Sequence, residues 1–145
     1  MLYFDTSFLV PVILPEATSD KVVAFLSGLR SEECTVSHWT SVEFSSVIAR
    51  EVRIGGLDRR AAAQADAEFE AMVEASFAIL PVDADDFELA KRYLGRYETG
   101  LRAGDALHLA IAANHRATAI YTLDKTLLKA GKTLGLPGSA GIRVR

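Results

Sequence analysis

The chain has 145 residues, 50% of them hydrophobic and 24% charged, an ordinary globular composition with enough apolar material for the core of one domain. It contains no run of about 18 uncharged apolar residues that could span a membrane. Its first residues, MLYFDTSFLV, have no basic region before the apolar stretch and a carboxylate inside it, unlike a signal peptide. Cys34 is the only cysteine, which excludes an internal disulfide and a thiolate metal cluster. A small buried core residue and a cytoplasmic protein are expected. The net charge of −3, taken alone, argues against a polyanionic partner.

In chain order, LYF at 2–4 is a β-favouring run that ends at Asp5. Residues 18–30 predict a helix, with Val22, Val23, Phe25, Leu26 and Leu29 broadly on one side and Thr18 or Ser19 as N-cap. TVSHW at 35–39 reads as a second strand. A helix over 40–53 follows, carrying Val42, Phe44, Val47 and Ile48 at helical spacing and stopped by Gly55-Gly56. Residues 58–76 form a long Ala- and Glu-rich helix with Phe69, Met72 and Val73 on its apolar side. FAILPV at 77–82 is a third strand. Helices over 84–97 and 104–116, a fourth strand AIYTL at 119–123 and a weak fifth, IRV at 142–144, complete the series. Asp83, Asp85 and Asp86 read as a solvated helix N-terminus. Strands alternating with helices predict one domain over residues 1–145. Its fold is a three-layer α/β/α sandwich with a mostly parallel central sheet of four to five strands.

In open α/β sheets ligands bind beyond the carboxyl ends of the strands. Four of the 19 acidic residues fall there. Asp5 follows the first strand, and Asp124 follows the fourth. Glu43 lies early in the helix after TVSHW, and Asp105 opens the helix GDALHLAIAANHR. Each has an ordinary explanation. Glu43 could close a capping box, Thr40-Ser41-Val42-Glu43, and Asp105 and Asp124 could be first-turn or N-cap acids. As a set they need compensating charge, because two unit charges about 4 Å apart cost roughly 4 kcal/mol at an effective dielectric of 20. Hard divalent cations with oxygen ligands, Mg²⁺ or Mn²⁺, suit such a set. His108 stands three residues after Asp105 in an Ala/Leu/Ile-rich stretch, and the expectation is a packed, hydrogen-bonded histidine rather than a metal ligand.

Four segments, YFDTSFLV at 3–10, SVEFSSVIAR at 41–50, GDALHLAIA at 104–112 and IYTLDKTLL at 120–128, carry a resemblance that runs nearly end to end. The chain resembles the PIN-domain ribonucleases, especially the toxin component of VapBC-type toxin–antitoxin systems. The resemblance implies that Asp5, Glu43 and Asp105 are the principal metal-binding acids and Asp124 a fourth, more variable one. It implies that Ser7 and Thr122 support the acidic cluster through hydrogen bonds. It also implies hydrolysis of RNA, a homodimer and a VapB-like antitoxin partner.

Removing the four acids leaves 15 acidic against 16 basic residues, a net of +1, so the negative balance comes from the site itself. Arg50, Arg53, Arg59, Arg60, Arg96, Arg102, Lys125 and Lys129 are candidates to hold substrate phosphates, with Arg102 and Lys125 foremost because they flank site acids. Two other classes compete. An aspartyl-phosphate phosphatase or phosphotransferase would also use an Asp after strand one, but wants a second Asp two residues later, where Ser7 stands. A non-catalytic module, either an RNA-binding PIN domain or a receiver, is the other. A receiver needs its phosphoacceptor at the end of a middle strand, and 35–39 offers His38 and Trp39.

Overall fold

The computed structural model describes residues 1–144. Five strands are present, β1 (Leu2–Phe4), β2 (Cys34–Ser37), β3 (Ala78–Leu80), β4 (Ala119–Tyr121) and β5 (Gly138–Ser139). They form one sheet in the order β3-β2-β1-β4-β5, and every pairing is parallel. The helices are α1 (Thr6–Ile13), α2 (Ser19–Ser27), α3 (His38–Arg53), α4 (Arg59–Ser76), α5 (Ala84–Leu94), α6 (Ala103–Asn114) and α7 (Lys125–Thr133). No helix among the described residues is long and apolar enough to cross a membrane.

Alternation along the strands divides the core in two. Phe4 and Val36 pack with Phe8, Val22, Phe44 and Phe69 from α1 to α4 on one face. Tyr3 and Ile120 pack with Leu109, Ile111 and Leu127 from α6 and α7, and with Ala90 of α5, on the other. The order reverses between β1 and β4, so the helices leaving these neighbouring strands depart to opposite faces and open a crevice at their carboxyl ends.

Two helices were not legible in sequence. In α1 the β-favouring Thr, Val and Phe and the internal Pro11, which cannot bond the Ser7 carbonyl, hide a segment that is helical because Phe8, Leu9 and Val10 are buried against the sheet. α7 is nine residues with an internal glycine, short enough to pass for a loop after the fourth strand, yet Leu127 and Ala130 are fully buried. The fifth strand is Gly138–Ser139, not 142–144. A two-residue strand at the sheet edge needs only backbone pairing with Ile120 and Tyr121, so no side-chain pattern marks it. His38 and Trp39 begin α3 instead of ending β2, with Ser37 as N-cap and Thr40 returning the capping bond. Gly55, at φ +81°, follows α3 where the sequence places a stop.

The rings of Phe44 and Phe69 stack with centroids 3.9 Å apart, tying α3 to α4. Phe69 is buried, so Phe69→Ala leaves a cavity and is expected to lower stability by about 3–5 kcal/mol. Urea unfolding monitored by circular dichroism measures this, and a loss under about 1 kcal/mol would show that the contact between these helices is not part of the core.

Candidate active site

Asp5 leaves β1 and caps α1. Its Oδ1 accepts hydrogen bonds from the Phe8 amide at 3.2 Å and Ser7 Oγ at 2.8 Å, and its Oδ2 accepts one from Thr122 Oγ1 at 2.9 Å. Its own amide donates to the Tyr121 carbonyl, locking it to β4. The side chain is almost wholly buried. Burial pushes its carboxyl above the ordinary value, against the opposing pull of His108, Ser7, Thr122 and the Phe8 amide.

Ser7 and Thr122 also fix the chain around Asp124. Ser7 Oγ accepts from the amides of Leu123 at 3.0 Å and Asp124 at 3.2 Å, and Thr122 Oγ1 accepts from the Asp124 amide at 3.0 Å. Asp124 is the N-cap of α7, with Oδ1 accepting from the Leu127 amide at 3.0 Å. The ordinary capping explanation therefore holds for part of this carboxylate, and Oδ2 remains to serve another role.

Glu43 is not a capping-box acid. Its Oε1 accepts from Thr6 Oγ1 at 2.6 Å and from His108 Nε2, which must carry the hydrogen because a carboxylate only accepts. The other ring nitrogen of His108 meets the Tyr3 hydroxyl at 2.8 Å, and that hydroxyl meets Ser37 Oγ at 2.9 Å. Burial pushes Glu43 upward, but the hydrogen bond and charge of His108 and the Thr6 hydroxyl outweigh it and hold the carboxyl below its usual range. His108 is packed and hydrogen-bonded, as its apolar surroundings in sequence suggest.

Asp105 is the third residue of α6, whose N-cap is Arg102. The glycine before it permits a close approach. A Cβ at Gly104 would stand 2.8 Å from Glu43 Oε2 and 3.3 Å from the Trp39 ring, whose Nε1 donates to the Gly104 carbonyl at 3.2 Å. Asp5, Glu43, Asp105 and Asp124 line one cleft of about 260 Å³, together with Thr6, Ser7 and Ser46 and with no basic side chain. Burial first, and then the charges of Asp124, Asp5 and Glu43, push the Asp105 carboxyl up to about 6, partly opposed by His108. Among the described residues no three His, Cys, Asp or Glu side chains converge into a ready-made ligand cage.

Arg102 and Lys125 are both exposed, and neither lines the acidic cleft. Lys125 lines a neighbouring one with Arg143. Sequence reasoning missed Thr6 and Tyr3. Thr6 stands inside the D-T-S triplet and could have been suspected. Tyr3 reads only as a strand residue, and its partners lie 34 and 105 positions away.

An unfolded chain releases the Asp105 proton near pH 4 and the folded protein near 6, so in this window the folded state holds more protons and the group weakens the fold as pH rises. In metal-free protein, Asp105→Asn is expected to gain about 1–2 kcal/mol relative to wild type between pH 4 and pH 7, allowing for screening of a part-exposed group. Urea titrations in EDTA measure this, and a difference independent of pH would show that the carboxylates do not repel.

The PIN domain family profile matches residues 2–132. Ribonuclease VapC13 of Mycobacterium tuberculosis is 39% identical over 57 residues, a match spanning 39% of this chain and 43% of that relative. The chain thus aligns with under half the length of the curated relative. Among solved structures, Mycobacterium tuberculosis VapC20, a Sarcin-Ricin loop cleaving toxin, superposes with a TM-score of 0.71 at 20% identity, covering 90% of this chain and 95% of that one. VapBC2 from Rickettsia felis, bound to a DNA fragment from their promoter, superposes with a TM-score of 0.67 at 14% identity, covering 96% and 98%. These two likenesses concern the fold. With a family match that spans all but the first residue and the C-terminal 13, the chain belongs to the PIN-domain family.

Proposed function

We propose that this protein is a divalent-metal-dependent endoribonuclease that acts in the cytoplasm as the toxin of a VapBC-type toxin–antitoxin pair. The observation that carries the reading is the cleft lined by four carboxylates from four separate segments and by no basic side chain. Its donors are carboxylate and hydroxyl oxygens, the set preferred by Mg²⁺ and Mn²⁺. Asp5, Glu43 and Asp105 would hold the ion, with Asp124 direct or through water, since one of its oxygens already caps α7. Bound there, a divalent ion would supply an activated water and neutralise charge developing on a phosphodiester.

The rest is the work of the chain's own side chains. Three donors pin Asp5, so its two oxygens have one orientation. Thr6 and His108 pin Oε1 of Glu43 and leave Oε2 toward Gly104. Arg102 and Lys125 stand outside the acidic cleft, where they can attract substrate phosphates without neutralising the acids. The aspartyl-phosphate reading has little support. Ser7, where a second Asp would be needed, is occupied with Asp5 and two backbone amides. The middle strand is β1, not 35–39, and it leads to Asp5 as a receiver would require, but membership of the PIN-domain family removes the receiver reading.

A partner fits a second feature. Val12, Val23, Leu26, Leu29, Met72 and Phe77, with Ser27, Ser31 and Ser76 between them, line a mainly apolar groove of about 310 Å³ on the face opposite α5 and α6, suited to an antitoxin helix or strand. The toxin would act as a homodimer when free of it.

Purified protein with Mg²⁺ or Mn²⁺ is expected to cleave RNA endonucleolytically. Asp5→Asn is expected to lower the rate by at least about 100-fold, the scale of losing one electrostatic contact to a reacting centre. A circular dichroism spectrum identical to wild type checks that the variant is folded. Equal cleavage by the variant would sink the assignment.

A further inference from the structure

Beside the acidic cleft lies a second one of about 620 Å³, bounded by the start of α7 and the segment after β5. Among the described residues its lining includes Leu123, Lys125, Leu128, Ile142 and Arg143, and no carboxylate side chain. The two clefts share a wall. Thr122 lines the second and donates to Asp5 in the first, and the neighbours Asp124 and Lys125 fall on either side of the boundary. Among the described residues one cleft thus carries four acidic side chains and no basic one, and the next carries two basic side chains and no acidic one. A polyanion needs this division at a metal-dependent site, with cation-binding acids at the reacting phosphate and fixed positive charge at the phosphates beside it.

The two cations have no other evident work. Lys125 is the first residue of α7, where the helix dipole disfavours positive charge. Among the described residues neither Lys125 nor Arg143 forms an ion pair, whereas Arg30 and Arg96 are paired with Glu32 and Glu98. The Arg143 carbonyl accepts a hydrogen bond from Lys21 Nζ at 3.0 Å at the surface. The cleft falls in the size range of pockets that accept nucleotide-sized ligands.

We propose that this cleft is a subsite for the RNA strand flanking the scissile phosphodiester, with Lys125 and Arg143 on a phosphate and the aliphatic floor of Leu123, Leu128 and Ile142 against a ribose or base. The inference rests on the nuclease reading and names how its substrate is held. The lining has no aromatic ring, so a base finds no stacking platform, and binding is carried by the phosphate with little base preference.

Fluorescence anisotropy with a labelled single-stranded RNA of about a dozen nucleotides, in Ca²⁺ in place of Mg²⁺, tests it. Lys125→Ala and Arg143→Ala are each expected to weaken binding about 3–10-fold, and each is expected to reduce the salt slope by about 0.7–1. Lys91→Ala, on α5 and paired with Glu88, serves as the unaffected control. A double variant with wild-type affinity and slope, while wild-type protein still cleaves RNA in Mn²⁺, overturns the subsite and leaves the nuclease reading standing. The same result with loss of a co-purifying partner protein overturns it too, and assigns the cleft to protein docking. Wild-type protein that neither binds nor cleaves RNA removes both.

Discussion

Carboxylates repel one another, and this fold gathers four of them where β1 and β4 end. Everything near that edge is arranged around the difficulty. Asp5, the most buried of the four, is met by three hydrogen-bond donors. Glu43 is held by a hydroxyl and an imidazole. Asp124 is partly satisfied by the first turn of the helix it caps. Asp105 has no such donor among the described residues, and its proton affinity is raised first by burial and then by the charges of the three other acids. A structural role would not require this grouping, because each acid could cap a helix or face solvent alone. A bound hard cation would give the grouping a purpose.

The scaffold supplies the geometry by simple means. The strand order places β1 beside β4, so Asp5 and Asp124 become neighbours although 119 positions separate them in sequence. The amide of Asp5 on the Tyr121 carbonyl and Thr122 Oγ1 on Oδ2 of Asp5 close this junction from both sides. Gly104 lets the first turn of α6 come against Glu43 and Trp39 without a Cβ between them. Short apolar strands carry these residues because all the pairings are parallel and both faces of the sheet are covered.

The layered architecture was readable because the apolar runs and helical periods are strong. The acids at strand ends were readable because Asp5 interrupts an apolar run. What sequence hid depended on tertiary contacts. α1 is helical through burial despite Pro11, and β5 is a strand through backbone pairing alone. Glu43 matched a capping box, and only its contacts with Thr6 and His108, 37 and 65 positions away, show that it does other work. Local pattern similarly could not say that Lys125 turns away from the acids and shares a cleft with Arg143.

If the four acids form one cation-dependent unit, an added ion should relieve the stress that the fold carries. Thermal unfolding at pH 7.5 in EDTA and in Mn²⁺ tests this directly. At an Mn²⁺ concentration about 100 times its dissociation constant, wild-type protein is expected to gain about 2.7 kcal/mol, and Asp5→Asn should gain far less at the same concentration. No gain in wild type, or an equal gain in both proteins, would contradict the account.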